Sequence, residues 1–202
     1  DPGSYASSTT YVTGTAAKMA AEELREKIIH KLAQFMDVKP EDIDFDGLVG
    51  TTKDGTKKMS IQELAPKLLV GTTCEQLTGF ATWGSHTSPP PFMASIAEVK
   101  VDKQTGQIIP LHMYNCVDCG TVVNPKLARV QVEGGAVQAI GMALYEDVRY
   151  SSNGRLETNN FMTYKIPTRQ DIGELHTAFV ESYEESGAYG VKSIGEIVIN
   201  TA

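Results

Sequence analysis

The pattern of apolar and polar positions separates a helical first part of the chain from a later part richer in strands. Apolar residues recur at three- and four-residue spacing between positions 15 and 36, which predicts a long helix. They are Ala17, Ala20, Ala21, Leu24, Ile28, Leu32 and Phe35. The hydroxyl-rich stretch before them contains Gly3 and Gly14 and predicts a loop that runs directly into the helix.

Extended structure is predicted mainly after position 74. The runs 92–101 and 108–119 flank the turn sequence DKQTGQ and predict a hairpin, and residues 75–84 and 174–182 each predict a further strand. Asn124 and Pro125 begin a second long helix that extends to about Leu144, because proline is favoured at the first helical position. The pair Gly134–Gly135 is unfavourable inside a helix and indicates close approach of another backbone or a ligand.

Shorter elements complete the predicted fold. A small hairpin is expected around Asp54–Gly55 and another around Asn153–Gly154. Ser60 and Glu63 form a capping-box sequence before a short helix, and the last eight residues resemble the first turns of another. The expectation is an α+β fold with mixed sheets and two long helices, a domain over residues 1–202 that can divide into two lobes.

Charge and cysteine content narrow the class of protein. The net charge is −7, from 18 basic and 25 acidic residues, and the absence of a basic run argues against nucleic acid as a partner. No apolar run approaches the roughly 20 residues of a membrane span. Three cysteines are an odd number, which fits a cytoplasmic protein without a disulfide framework. The chain begins without methionine and stops just after a predicted helix start, so we expect a fragment of a longer polypeptide.

Two cysteines could carry metal or redox chemistry. Cys116 and Cys119 form a C-x-x-C sequence, and Cys74, His86 or His112 could complete a zinc site. The stronger interpretation is structural, because no second C-x-x-C pair exists and a buried thiol behaves as a small apolar group.

The hydroxyl-rich loop could seat an anion. Hydroxyls ahead of a helix suit a phosphate, because the helix N-terminus offers unpaired N–H groups and a positive dipole end. An ordinary polar loop with N-capping residues is the alternative. On the second helix, Gln131 and Gln138 share a face with the glycine pair, where an amide could bind a planar heterocycle.

Glu196 has two competing interpretations. Ser193 and Glu196 match a capping box, in which the glutamate would reach back to the serine N–H. Alternatively, Ile194 and Ile197 could dry the carboxylate, which would suit a general base. The spacing alone does not choose between them.

Five segments together resemble a known family. They are GSYASSTTYVTGTA, SIAEVKVDKQTG, VDCGTVVNPKLARVQVEGGAVQAIGMAL, TYKIPTRQDI and GAYGVKSIGE. Their order and approximate spacing are similar to the C-terminal half of the molybdopterin-binding subunit of molybdenum hydroxylases, the xanthine dehydrogenase and aldehyde oxidase family. The most specific combination joins G-V-K-x-x-G-E at 190–196 with D-x-G-x-x-x-N-P at 118–125. Cys119 stands at a variable place in the second motif, which again favours a structural thiol.

This resemblance implies a set of site residues. Glu196 corresponds to the catalytic base, which takes a proton from a hydroxyl bound to molybdenum. The implied cofactor-binding residues are Gly3, Ser4, Tyr5, Ala6, Ser7, Ser8, Thr9, Thr10, Gln138, Lys192 and Gly195. The stretch around Asp118, Asn124 and Gln131 is a weaker match to family residues that help hold the cofactor. No protein side chain is implied as a metal ligand, because the pterin dithiolene holds the molybdenum.

The resemblance also implies the chemistry and the partners. The cofactor would be molybdopterin with molybdenum, in its cytosine dinucleotide form. An electron-poor carbon of a heterocycle or aldehyde would be hydroxylated with oxygen from water, and electrons would pass to 2Fe-2S clusters and FAD in partner domains or subunits. The N-terminal half of the molybdopterin subunit is the other expected partner, and the isolated segment is expected to be inactive. The alternative is a non-catalytic cofactor-binding or assembly module with the same fold.

Overall fold

The computed structural model describes residues 3–70 and 74–202, and its contacts group the chain into two units. One unit comprises Asp1–Val12 and Ser85–Ala202, and the other comprises Thr13–Gly84. This division agrees with the two lobes that the sequence allowed. None of the helices in the described ranges is long and apolar enough to cross a membrane.

Helix α1 (Thr9–Met36) starts earlier than predicted. The sequence placed its start near Thr15, after a loop, but the hydroxyl residues from Thr9 onward are already helical. The reason is tertiary packing. Tyr11 is only 2% exposed, and its hydroxyl lies 2.7 Å from Ser186 Oγ and 3.0 Å from Ser85 Oγ. Burial of this side chain outweighs the modest helix propensity of the threonines in this first part of the helix.

The Thr13–Gly84 unit packs a small sheet against the C-terminal part of α1. Strands β1 (Ile43–Phe45), β2 (Val49–Thr52) and β3 (Lys58–Ser60) form an antiparallel sheet in that order, so the predicted hairpin is extended by one strand. Helix α2 (Ile61–Leu69) starts at the predicted capping box, in which Ser60 Oγ accepts from the Glu63 N–H. The core of the unit comprises Leu32, Ala33, Met36, Ile43, Phe45 and Leu64.

The strand predicted over 75–84 is wrong. Residues 74–84 contain no strand and instead follow α1 through side-chain contacts. Lys31 Nζ lies 2.5 Å from Glu75 Oε2, Lys27 Nζ donates to Thr78 O at 2.9 Å, and the Phe80 N–H donates to Glu23 Oε2 at 2.6 Å. Side chains of α1 therefore bond the Thr78 C=O and the Phe80 N–H, two backbone groups that a neighbouring strand would have bonded in a sheet.

The larger unit is built on a mixed sheet. Strands β4 (Phe92–Val101) and β5 (Ile108–Asp118) form the predicted antiparallel hairpin, and β6 (Glu174–Phe179) pairs with β5 in parallel. Parallel strands need a crossover, and here the crossover contains helix α3 (Pro125–Leu144). Asn124 caps that helix by accepting from the Leu127 N–H at 3.1 Å, which confirms the predicted start.

One face of this sheet forms the core with α3. The buried residues are Met113, Val117, Cys119, Val132, Ala136, Ile140, Ile172 and Val198. Side chains alternate between the faces of a strand, so the opposite face of β5 presents His112, Tyr114 and Cys116. Around Asn153–Gly154 a turn closes with a single bridge between Tyr150 and Leu156 rather than a full hairpin.

Candidate functional site

The segment 187–196 is fixed to the end of β5 through its backbone. Val191 forms a bridge with Gly120, the Lys192 N–H donates to Cys119 O at 2.7 Å, and the Thr121 N–H donates to Gly190 O at 2.8 Å. Tyr189 has φ 56° and Gly195 has φ 120°, so the segment turns sharply twice. The second turn leads into a 3-10 helix, Glu196–Thr201.

Lys192 is part of an ion pair at the base of this segment. Its Nζ lies 2.8 Å from Asp118 Oδ2, and the two side chains are only 8% and 19% exposed. Burial raises the pKa of the Asp118 carboxyl, but hydrogen bonds from Lys192, Ser182 and the Gly120 N–H outweigh it and leave this pKa below its usual value. The Lys192 ammonium therefore positions the segment. The structure gives it no direct approach to the cavity described below.

Glu196 is held by Ser7, which lies 189 positions earlier in the chain. Ser7 Oγ donates to Glu196 Oε2 at 2.9 Å and accepts from the Glu196 N–H at 2.8 Å. The Ile194 N–H also donates to Ser7 O at 3.3 Å. A single serine thus fixes both the backbone and the carboxylate of Glu196.

The capping box that was one of the two interpretations of Glu196 does not form. Gly195, which has no side chain, occupies the N-cap position before the 3-10 helix, so no N-cap side chain caps this helix. The Glu196 N–H, which would donate to the Ser193 hydroxyl in such a box, donates to Ser7 Oγ instead. Drying of the carboxylate by Ile194 and Ile197 is also not observed, because the Glu196 side chain is exposed.

A cavity of about 510 Å³ surrounds this pair of residues. Its walls come from the loop before α1, the first turn of α1, helix α3 and the Glu196 segment. The lining residues are Ser4, Tyr5, Ser7, Thr9, Thr10, Gln131, Ile194 and Glu196. Four aliphatic hydroxyls, one phenol and one amide therefore face a single carboxylate, and no lysine or arginine lines the cavity. Such a donor set favours a polar ligand held by neutral groups.

The structure brings together some of the predicted site residues and separates others. Six of them line the cavity, and Gly3, Ala6 and Ser8 belong to the same loop without lining it. Gln138 is exposed on α3 and does not line this cavity, whereas Gln131, seven residues earlier, does. Of the two glutamines on this helix face, only Gln131 therefore lies beside the Glu196 cavity.

Gly195 and Gly135 allow two close approaches at the cavity. A Cβ on Gly195 would lie 3.1 Å from Ser7 Oγ, and a Cβ on Gly135 would lie 2.7 Å from Gly195 O. Backbone approach at the glycine pair was predicted and is confirmed at Gly135. Gly134 faces open space. Gly135 therefore lets α3 contact the turn that presents Glu196.

The cysteines show no metal or redox arrangement among the described residues. Cys119 is 3% exposed, and burial raises the pKa of its thiol, so it is a poor nucleophile and metal ligand. Cys116 is half-buried on the opposite face of β5, and both thiols are free. The structural interpretation of these residues fits this geometry.

Comparisons with known proteins agree with the fold. A family model described as a molybdopterin cofactor-binding domain matches residues 1–173. The chain is 36% identical over 206 residues to "Probable hypoxanthine oxidase XdhD" of Escherichia coli (strain K12), covering 100% of the chain and 21% of that relative. It is 32% identical to the "Xanthine dehydrogenase molybdenum-binding subunit" of Escherichia coli O157:H7, covering 97% of the chain and 27% of the relative.

A solved structure of a related enzyme has the same fold. Quinoline 2-oxidoreductase from Pseudomonas putida 86 matches with a TM-score of 0.83 and 25% identity, over 98% of this chain and 26% of that one. The fold is that of a molybdenum-cofactor-binding domain. The chain belongs to the molybdopterin cofactor-binding domain family and is homologous to large subunits of molybdenum hydroxylases. It spans about a quarter of the length of these relatives.

The residues present fit a phosphorylated pterin. The first N–H groups of a helix have no intrahelical partner, and the first two residues of α1, Thr9 and Thr10, line the cavity. The hydroxyls of Ser4 and Thr10 add neutral donors, while the Thr9 hydroxyl donates to Ser4 Oγ at 2.9 Å. The Gln131 amide can both donate and accept. The cavity volume also lies within the range of roughly 300–1,000 Å³ that small ligands occupy.

Proposed function

We propose that this chain is the part of a molybdenum hydroxylase that holds the molybdopterin and supplies its catalytic base. The complete protein would hydroxylate an electron-poor carbon of a heterocycle or an aldehyde with oxygen from water. The observation that carries this proposal is the Glu196 carboxylate, fixed by Ser7 at 2.9 Å in a cavity of neutral donors. A carboxylate placed there can accept a proton from a neighbouring hydroxyl group.

Each side of the cavity has a separate part in this proposal. The loop residues and the start of α1 would bind the phosphate or nucleotide end of the cofactor, and Gln131 would bind the heterocycle. When bound, the cofactor supplies two-electron oxidation of the substrate. Ser7 would orient Glu196 and, through its hydroxyl, share the proton that the carboxylate accepts. Gly195 allows the carboxylate to approach Ser7 closely, because a larger residue would have its Cβ 3.1 Å from that hydroxyl.

The expected partners follow from the same proposal. The remaining part of the molybdopterin subunit would cover the exposed side of Glu196 and form most of the substrate pocket. 2Fe-2S and FAD domains or subunits would take the electrons, the cofactor would be the cytosine dinucleotide form, and the enzyme would be cytoplasmic. The free thiols of Cys116 and Cys119 are consistent with a reducing compartment.

A single experiment separates the enzyme from a non-catalytic module of the same fold. The intact protein containing this chain is purified and its molybdenum and cytidine contents are measured. It is then incubated in ¹⁸O-labelled water with hypoxanthine, xanthine, quinoline and an aliphatic aldehyde in turn. We expect molybdenum close to one equivalent and one labelled oxygen in the product of at least one substrate. A molybdenum-free protein, or product oxygen derived from O₂, would contradict the proposal.

A further inference from the structure

The outer face of the mixed sheet carries a second group of polar side chains. It lies outside the cavity around Glu196 and consists of His112 on β5 with Glu174 and His176 on β6. The parallel register pairs His112 with Glu174 and Tyr114 with His176, so all four side chains emerge from the same face. The group thus combines side chains from β5 and β6, two strands that are separated in the sequence by the crossover at residues 119–173.

The three donor atoms form a nearly equilateral triangle. His112 Nδ1 lies 3.2 Å from His176 Nε2, and Glu174 Oε2 lies 3.5 Å from the first nitrogen and 3.7 Å from the second. A tetrahedral zinc ion with bonds of about 2.0–2.1 Å holds neighbouring donors roughly 3.3–3.4 Å apart. Each side of the triangle therefore needs to change by only a few tenths of an ångström to accept such an ion.

From this geometry we propose that His112, Glu174 and His176 bind a divalent transition-metal ion of the zinc type. Two imidazoles and one carboxylate favour such ions over magnesium or calcium, which prefer oxygen ligands alone. Three protein ligands leave the fourth tetrahedral position for water or another donor. The site does not depend on molybdenum, because none of its residues lines the Glu196 cavity.

Neighbouring residues support the site. Tyr114 stacks on His176 with ring centroids 4.5 Å apart and planes 11° apart, which holds that imidazole in place. Glu98 lies on β4, directly opposite His112 in the antiparallel pairing of β4 with β5. It therefore places a second carboxylate next to His112 in the same cross-strand row, which adds negative charge near the site.

A bound ion would connect β6 to the rest of its sheet. β6 is an edge strand in the order β4-β5-β6, and residues 119–173 separate it from β5 along the chain. An ion that binds the folded arrangement and not the unfolded chain stabilises the folded protein by mass action. We therefore infer a structural ion that fixes the β5–β6 pairing.

The test uses zinc alone and a matched pair of double variants. The chain contains four histidines, and the other two, His30 and His86, are exposed and outside the triangle. The intact protein is dialysed against a chelator and titrated with Zn²⁺ in competition with a chromophoric indicator. His112→Ala/His176→Ala is compared with His30→Ala/His86→Ala, which removes the same number of imidazoles.

We expect wild-type protein and the His30/His86 variant to bind one more zinc ion than the His112/His176 variant. Zinc should also raise their unfolding temperatures and leave that of the His112/His176 variant unchanged. Glu174→Gln, at a side chain that is 67% exposed, tests the site without disturbing the fold and should weaken zinc binding at least about tenfold. Equal zinc binding by all variants would overturn the proposal. Loss of the ion from the His30/His86 variant alone would also overturn the proposal. The absence of any zinc response in all variants would overturn it too, and would leave a simple His112–His176 hydrogen bond.

Discussion

Two charged residues four positions apart in the same segment have opposite environments. Lys192 is buried and paired with Asp118 at 2.8 Å, whereas Glu196 is exposed and bonded to an uncharged serine. A buried charge requires a partner, because removing an ion from water is costly. An exposed carboxylate in a polar cavity remains available to a ligand. The comparison indicates that Lys192 fixes the segment, and it supports the proposal that Glu196 carries the chemistry.

The two residues therefore respond differently to substitution. Substitutions at Lys192 or Asp118 should mainly reduce the stability of the protein, and any loss of turnover should result from that lower stability. Changes at the Glu196 end should reduce turnover in a protein that folds normally. Four predictions, from the largest expected effect to the smallest, test this difference.

Replacement of Lys192 should have the largest effect on stability. Lys192→Met leaves the Asp118 carboxylate buried without its cation, which costs about 3–5 kcal/mol when a buried pair is broken. The free energy of unfolding is measured by urea denaturation, with the exposed Lys126→Met as the matched control. A loss below about 1 kcal/mol, typical of a surface ion pair, would mean that the pair does not fix the segment.

The two adjacent glycines of α3 should respond in opposite directions. Gly135→Ala places a Cβ 2.7 Å from Gly195 O and should cost about 1–3 kcal/mol, as overpacking does. Gly134→Ala meets no atom within 4 Å and should stabilise the helix by up to about 1 kcal/mol. Thermal unfolding of the two variants checks this contrast. Equal effects at both positions would contradict the close approach of α3 to the Gly195 turn.

Removal of the Ser7 hydroxyl should lower turnover without unfolding the protein. Ser7→Ala deletes both hydrogen bonds to Glu196, and each is worth about 0.5–1.5 kcal/mol, so a roughly tenfold loss of kcat is expected. Molybdenum content should stay at the wild-type level. Ser151→Ala, in the surface turn before Gly154, is the control and should keep full activity. Wild-type kcat in Ser7→Ala would show that Glu196 needs no orienting partner.

The Asp118 carboxyl should make a smaller, pH-dependent contribution. Its pKa in the folded protein is lower than the ordinary value of 3.8, so its stabilisation is complete above that pH. The contribution is lost as the pH falls through the lower pKa of the folded state. Wild type should therefore lose more stability than Asp118→Asn between pH 5 and pH 3, measured by urea unfolding. Parallel pH profiles would contradict the hydrogen bonding assigned to this carboxylate.

Elements with strong local signals could be predicted from the sequence. The capping box at Ser60 and the Asn124–Pro125 helix start are specified by neighbouring residues, and both form as predicted. The segment 74–84 has a strand-like composition, but the charged side chains of α1 bind it instead. The early start of α1 likewise depends on burial of Tyr11, which no local pattern reveals.

The site could be predicted only in part. Family motifs predicted Glu196 and the hydroxyl loop as site residues, and both line the same cavity. Nothing in the local sequence, however, joins Ser7 to Glu196 across 189 positions. The same limit explains why the Ser193 capping box was wrong, since Ser7 takes the bond that Ser193 would have taken. His176 gave no sequence signal, because it meets His112 only through the parallel pairing of β5 and β6.

The most direct test of the account is substitution of Glu196 in the intact enzyme. Glu196→Gln is compared with Glu181→Gln, an exposed glutamate in the same unit that does not line the cavity. Molybdenum content, unfolding temperature and substrate-dependent reduction are measured in parallel. We predict wild-type molybdenum and stability in both variants. Only Glu196→Gln should lose turnover, by about 10²–10⁴-fold, as expected for a positioned base. Full turnover in Glu196→Gln, with molybdenum retained, would contradict the account.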